Sequence, residues 1–273
     1  MRSTGIRTDG RTTFFATERP GFPMIDFMNP GEVTVKRIRY AVLPGMFILL
    51  LIGFFLYGCS FPSTLSSTDA AAFLTSQPRG LENTGQVLFV RAERFFFSSR
   101  IKVCALERSG DTWRIPFDPI AAVIGRNGFA PPGEKREGDG RSPTGIFPLK
   151  LVFGYGEISP TRMPYRQARE QDLWADDPES PDYNRWVEKG KTTAASFERL
   201  RRDDDLYKYG IVIGYNTDPV IKGHGSAIFF HVWRGRGSST AGCVAVAEDD
   251  LLKILAWLEP SAGPMIIMGM DHP

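Results

Sequence analysis

"HVWRGRGSSTAGC", residues 231–243, sets a histidine near the end of one apolar run and a cysteine, behind a glycine, at the start of another. The two are twelve positions apart. A strand, the glycine-rich loop "RGRGSST" and a second short strand would bring them together. Side chains alternate along a strand, so Phe229, His231 and Trp233 share one face while Ile228, Phe230 and Val232 share the other. Read alone, a histidine on such a strand is a satisfied core residue. The returning cysteine changes that reading. A cysteine attacks a carbonyl as its thiolate, so it needs a base or a positive environment and small neighbours that admit substrate. Ala241 and Gly242 supply the room, and candidate bases are few, since the chain holds only His224, His231 and His272. His224 lies between glycines in "KGHGS" and reads as a surface-loop residue, and His272 is next to the C-terminus.

The flanking sequence is β-rich. "GQVLFVRAERFFFSSRIKVCALER" (85–108), "DTWRIPFDPIAAVIG" (111–125), "YGIVIGY" (209–215) and "SAIFFHVW" (226–233) carry β-branched and aromatic residues between turn signals. Cys104, among Val103, Ala105 and Leu106, reads as a small hydrophobe in a buried strand. Helical signals are fewer. "AEDDLLKILAWLEP" (247–260) predicts a helix with Leu251, Ile254, Leu255 and Leu258 on one stripe, acidic residues at its start and Pro260 as its stop. "TAASFERLRRDDDLY" (193–207) is read as a second, shorter helix. The expected fold is therefore mainly β with small helices.

With 273 residues and 42% hydrophobic content, the chain can build one sizeable domain with appendages. Its 33 basic and 31 acidic side chains leave a net charge of +2, too small for a nucleic-acid-binding field. Three cysteines exclude a disulfide scaffold. A small or peptide-like ligand, or an envelope polymer, is the expected partner.

In "VKRIRYAVLPGMFILLLIGFFLYGCS" (35–60), Lys36, Arg37 and Arg39 precede an uncharged apolar run from Ala41 to Tyr57. Residues 36–59 are read as an export signal or membrane anchor. "LYGC" (56–59) resembles a bacterial lipobox, which makes Cys59 a candidate for lipidation, while an uncleaved anchor is the alternative. Residues 1–35 are read as a disordered or over-extended N-terminus, 60–84 as a linker and 85–273 as the catalytic domain. The expected address is the cell envelope, on the periplasmic side.

Two loops carry charge or aromatic residues. "GEKREGDGRSPTG" (133–145) lacks both the Gly-Lys-Ser/Thr ending of a phosphate loop and the acidic ladder of an EF-hand. It is read as a turn-rich loop or as a substrate-side wall, with Arg126, Lys135 and Arg141 as carboxylate partners. "LWADDPESPDYNRWVEKGKTT" (173–193) is read as a self-packed irregular loop, or as a groove wall offering Trp174, Tyr183 or Trp186.

The residues 231–243 resemble the signature of the YkuD-type L,D-transpeptidases: histidine, spacer, Ser/Thr, His, Gly, Cys. The likeness extends to "AVIGRNGFAPPGEKREGDGRSPTGIFPL" (122–149) and "IVIGYNTDPVIKGHGSAIFFHV" (211–232) and covers roughly residues 85–270. It implies a β-sandwich-type catalytic domain, with Cys243 as nucleophile, His231 as general base, and Gly242 and Thr240 completing the motif. Arg126, Lys135, Arg141, Trp233 and Ser239 are the candidate substrate contacts. Two positions depart from the pattern: Ala241 stands where a second histidine is usual and Ala245 where an arginine is common.

The resemblance further implies action on peptidoglycan stem peptides through a thioester acyl-enzyme, with no metal or cofactor; a monomer is the expected state. Backbone N–H groups near Gly242 and Cys243 would hold the oxyanion. If the acceptor is water instead of an amine, the same acyl-enzyme gives a carboxypeptidase or amidase. The third alternative is a non-catalytic peptidoglycan-binding lipoprotein.

Overall fold

The computed structural model describes residue 74, residues 79–95 and residues 98–270. All belong to the compact unit Ser60–Pro273. The leader, the anchor with Cys59, and most of the linker read from the sequence lie outside the described residues.

Thirteen strands and one α-helix follow one another along the described chain. They are β1 (Gln86–Phe95), β2 (Ser98–Ser109), β3 (Thr112–Arg114), β4 (Ile120–Val123), β5 (Gly145–Gly154) and β6 (Tyr165–Gln167). Then come β7 (Asp172–Ala175), β8 (Arg185–Glu188), β9 (Phe197–Arg199), β10 (Tyr209–Ile213), β11 (Phe229–Val232), β12 (Val244–Val246), α1 (Glu248–Trp257) and β13 (Met265–Met268). The architecture is mainly β with one short helix and 3-10 turns.

Ten strands form one sheet in the order β1-β13-β5-β10-β11-β12-β4-β2-β3, with β6 added on β5. Because β1 also pairs with β2 over its whole length, the path closes on itself. Closure satisfies the backbone donors and acceptors that open edges would leave unpaired. Phe230 and Val232 of β11 and Val244 and Val246 of β12 point into the main core, together with Leu88, Val90, Val103, Ile211 and Ile213. Helix α1 packs Leu251, Ile254 and Leu255 into the same core, with Leu258 just beyond it. Each such leucine contributes about 2–5 kcal/mol relative to alanine. The helix stops short of Pro260, which starts a 3-10 turn instead. Cys104 is fully buried in a smaller cluster with Phe89 and Leu106.

Between β6 and β10 the chain leaves the closed sheet and builds a second, three-stranded one, β8-β7-β9. The irregular-loop reading of 173–193 is thereby corrected: β7 and β8 pair antiparallel, with Trp174 opposite Trp186. Trp174 and Tyr183 are buried and serve as anchors. The helix read over 193–207 is also corrected. Phe197–Arg199 pairs with β7, and Asp204 caps a 3-10 turn at Asp205–Tyr207 by accepting from the Leu206 N–H. Pairing with a waiting strand outweighs the local helical composition, whose Ser196 and Asp203–Asp205 favour turns and caps.

Candidate active site

The strand alternation that sends Phe230 and Val232 into the core turns Phe229 and His231 to the opposite face. Strands β11 and β12 run parallel, with His231 opposite Ala245 and Phe230 opposite Val244. Cys243, one step before β12, therefore falls beside Phe229 on the same face as His231. Its sulfur accepts the Phe229 N–H at 3.3 Å and donates to the Ala227 carbonyl at 3.3 Å. His231 Nδ1 lies 2.7 Å from the Val232 carbonyl oxygen. A carbonyl only accepts, so Nδ1 carries the proton and Nε2 is the basic nitrogen.

Both groups are almost wholly buried, and burial sets their charge. It pushes the Cys243 thiol up to about 12, opposed by the Phe229 N–H and helped by the Glu198 carboxylate. It pulls the His231 imidazole down to about 4, against the Val232 and Leu206 carbonyls, which favour the protonated ring. Burial thus favours the neutral thiol and the neutral imidazole.

Three polar side chains fix the loop that carries the thiol. Thr240 Oγ1 donates to the Cys243 carbonyl at 2.7 Å and accepts the Gly242 N–H at 3.1 Å. Buried Ser142 accepts the Gly125 N–H at 3.0 Å and donates to the Gly242 carbonyl at 2.6 Å. Asn184 accepts both the Trp174 indole N–H and the Ala227 N–H through Oδ1. It thus holds Ala227, the residue whose carbonyl receives the thiol. Gly242 sits at a close approach: a Cβ there would lie 3.0 Å from the Arg141 carbonyl oxygen and 3.1 Å from Ile228 Cδ1, so a side chain would press the loop outward.

Cys243 and His231 open on a cavity of about 490 Å³. Its lining brings together four other sequence-predicted residues, Arg126, Trp233, Ser239 and Thr240, with Gly242 beside them. Lys135 also lines it, but its ammonium already donates to Asp139 Oδ1 at 2.7 Å and to the Arg136 carbonyl. A neutralised lysine is a weak candidate for a substrate carboxylate. Arg141 is absent from the lining; its backbone N–H closes the Asp139 turn at 2.8 Å. The Gly242 N–H, expected at an oxyanion, is given to Thr240 instead.

The other wall comes from the excursion between β6 and β10, and sequence reading missed it. Glu198, Arg202, Leu206 and Tyr207 line the cavity. The Tyr207 ring stands edge-on to His231 at 5.1 Å, and its hydroxyl interacts with both the Cys243 sulfur and Glu198. Arg202 pairs with Glu198 at 2.7 Å and Asp204 at 2.8 Å. Ala245, small and opposite His231, lines the same cavity as Arg202 and Arg234. Guanidinium groups thus reach this cavity from elements other than position 245. Ser142 and Asn184 carried no signal beyond their residue type, and the 198–207 group was hidden by the helix reading.

A profile of the L,D-transpeptidase catalytic domain family, YkuD, matches residues 98–267, and the chain belongs to that family. Its members act on peptidoglycan stem peptides. The helical cell shape determining protein Pgp2 from Campylobacter jejuni is a similar solved structure, at 14% identity and a TM-score of 0.33. The likeness covers 69% of this chain, which spans 49% of that one. No curated protein matches the chain.

Proposed function

We propose that the chain is an L,D-transpeptidase that uses Cys243 as nucleophile and His231 as general base. The observation that carries this reading is the placement of one buried thiol and one buried imidazole on the same face of adjacent strands, both opening on a single cavity. His231 takes the thiol proton as sulfur attacks a stem-peptide carbonyl carbon. The C–N bond to D-alanine breaks, and the imidazolium returns the proton to the departing amine. An amine of a second stem then attacks the thioester, regenerating the thiol. With the Gly242 N–H engaged by Thr240, the Tyr207 hydroxyl, which interacts with the Cys243 sulfur, is the donor we assign to the developing charge.

The same reading places the enzyme at the periplasmic face of the envelope, tethered through residues 36–59, with Cys59 lipidated or the span left uncleaved. Cell-wall cross-linking or remodelling is then its role.

The deciding experiment incubates the full chain and its Cys243→Ala variant with purified muropeptides whose tetrapeptide stems end in D-alanine. Mass analysis showing cysteine-dependent D-alanine release with a new dimer supports transfer. Release with only a shortened stem identifies a carboxypeptidase. Binding with neither product marks a stem-binding protein and refutes the acyl-enzyme.

A further inference from the structure

A second groove, of about 570 Å³, opens where β2 and β4 part company. Those strands pair only from Ile101 to Val103. Arg100 and Lys102 of β2, Arg126 after β4 and Arg236 of the loop before Cys243 all line it. The lining contains no aspartate or glutamate. In a chain of 33 basic and 31 acidic side chains, this separation is local and is not a reflection of overall charge. The thiol cavity, by contrast, mixes Glu137, Asp176 and Glu198 with its cations.

The groove is continuous with the site. Val123, Arg126, Trp233, Ser238 and Ser239 line both cavities, so a ligand seated at Cys243 passes over Arg126 to leave by the groove. Arg126 is held at this junction. Its N–H donates to the Thr240 carbonyl at 3.0 Å, and its guanidinium covers Gly140, where a Cβ would come within 2.8 Å of the guanidinium carbon. Among the described residues, Lys102, Arg126 and Arg236 form no ion pair within 4.0 Å. Their charge is available to a ligand.

We propose that this groove is a subsite for a carboxylate-bearing peptide segment that continues outward from the residue bound at Cys243. It rests on the acyl-transfer reading for its biological meaning, but the anion site itself does not depend on that chemistry. Guanidinium and ammonium groups spaced along a groove hold successive carboxylates. Phosphates offer the same charge, so the probes must separate the two.

The test measures binding of fluorescein-labelled deca-L-glutamate to the full chain by anisotropy, beside a glycerol-phosphate oligomer of equal charge. Lys102→Glu with Arg236→Glu is expected to weaken glutamate binding at least tenfold and flatten its salt dependence. The alkylation rate of Cys243 should not change, because neither residue lines the thiol cavity. Lys189→Glu with Lys191→Glu, exposed cations of the small sheet, should leave binding intact. Equal affinity in the groove variant, or an equal loss in the distant one, overturns the subsite. Tighter binding of the phosphate oligomer overturns the carboxylate assignment. Loss of D-alanine release with glutamate binding intact would instead count against the acyl-transfer reading alone.

Discussion

Cys243 and His231 share a face of two parallel strands, offset by two residues, and in the substrate-free site they do not hydrogen-bond to each other. The thiol is held by Ala227 and the imidazole by Val232. Burial favours the neutral form of each. On the proposed mechanism, proton transfer between them requires the two groups to turn towards each other or charge to enter the cavity.

The resting thiol should be slow. With its pKa pushed up to about 12, alkylation of Cys243 by iodoacetamide at pH 7 is expected at least about a hundredfold below a free cysteine. The rate should climb until well above pH 9. Peptide mapping separates this site from Cys59 and Cys104. An inflection below pH 8.5 would mean that the thiolate–imidazolium pair already exists. The same shifts set the stability profile. An acid raised in the folded state loses its contribution as pH rises from about 9 towards 12, and a base lowered there loses it as pH falls from about 6.5 towards 4.

Tyr207 and Glu198 should act on the thiol with opposite sign. The hydroxyl donates to the thiolate and lowers the thiol pKa; the carboxylate raises it. Tyr207→Phe keeps the ring against His231 and Phe229 but is expected to slow alkylation severalfold at a fixed alkaline pH. Glu198→Gln should speed it. Shifts of the same sign in both variants would show that the wall acts only by packing.

Ser142→Ala leaves the Gly125 N–H and the Gly242 carbonyl without their buried partner. The expected cost is about 1–3 kcal/mol in denaturant unfolding. Turnover should fall more than substrate affinity, because the hydroxyl positions the loop and does not line the cavity. A variant of unchanged stability and turnover would remove Ser142 from the positioning framework.

The β class, the apolar stripe of α1 and the juxtaposition of His231 with Cys243 were legible in sequence because each rests on a short-range period or on one strand-loop-strand return. Alternation alone separated Phe229 and His231 from Phe230 and Val232; which face is the core came from the structure. The second wall was not legible. Residues 197–199 become a strand because β7 is there to receive them, and such pairing has no local signature. Lys135 lines the cavity as expected, and the folded turn also brings it to Asp139, four residues away.

The closed sheet carries Cys243 and His231, while Glu198, Arg202 and Tyr207 arrive on a separate excursion between β6 and β10. The excursion also tunes the thiol, through Tyr207 and Glu198. The excursion enters and leaves through strands already paired to β5, so its length and composition can drift without disturbing barrel closure. One insertion thus both walls the cavity and touches the groups at its floor, so a change in it alters the fit of a ligand and the behaviour of the thiol together.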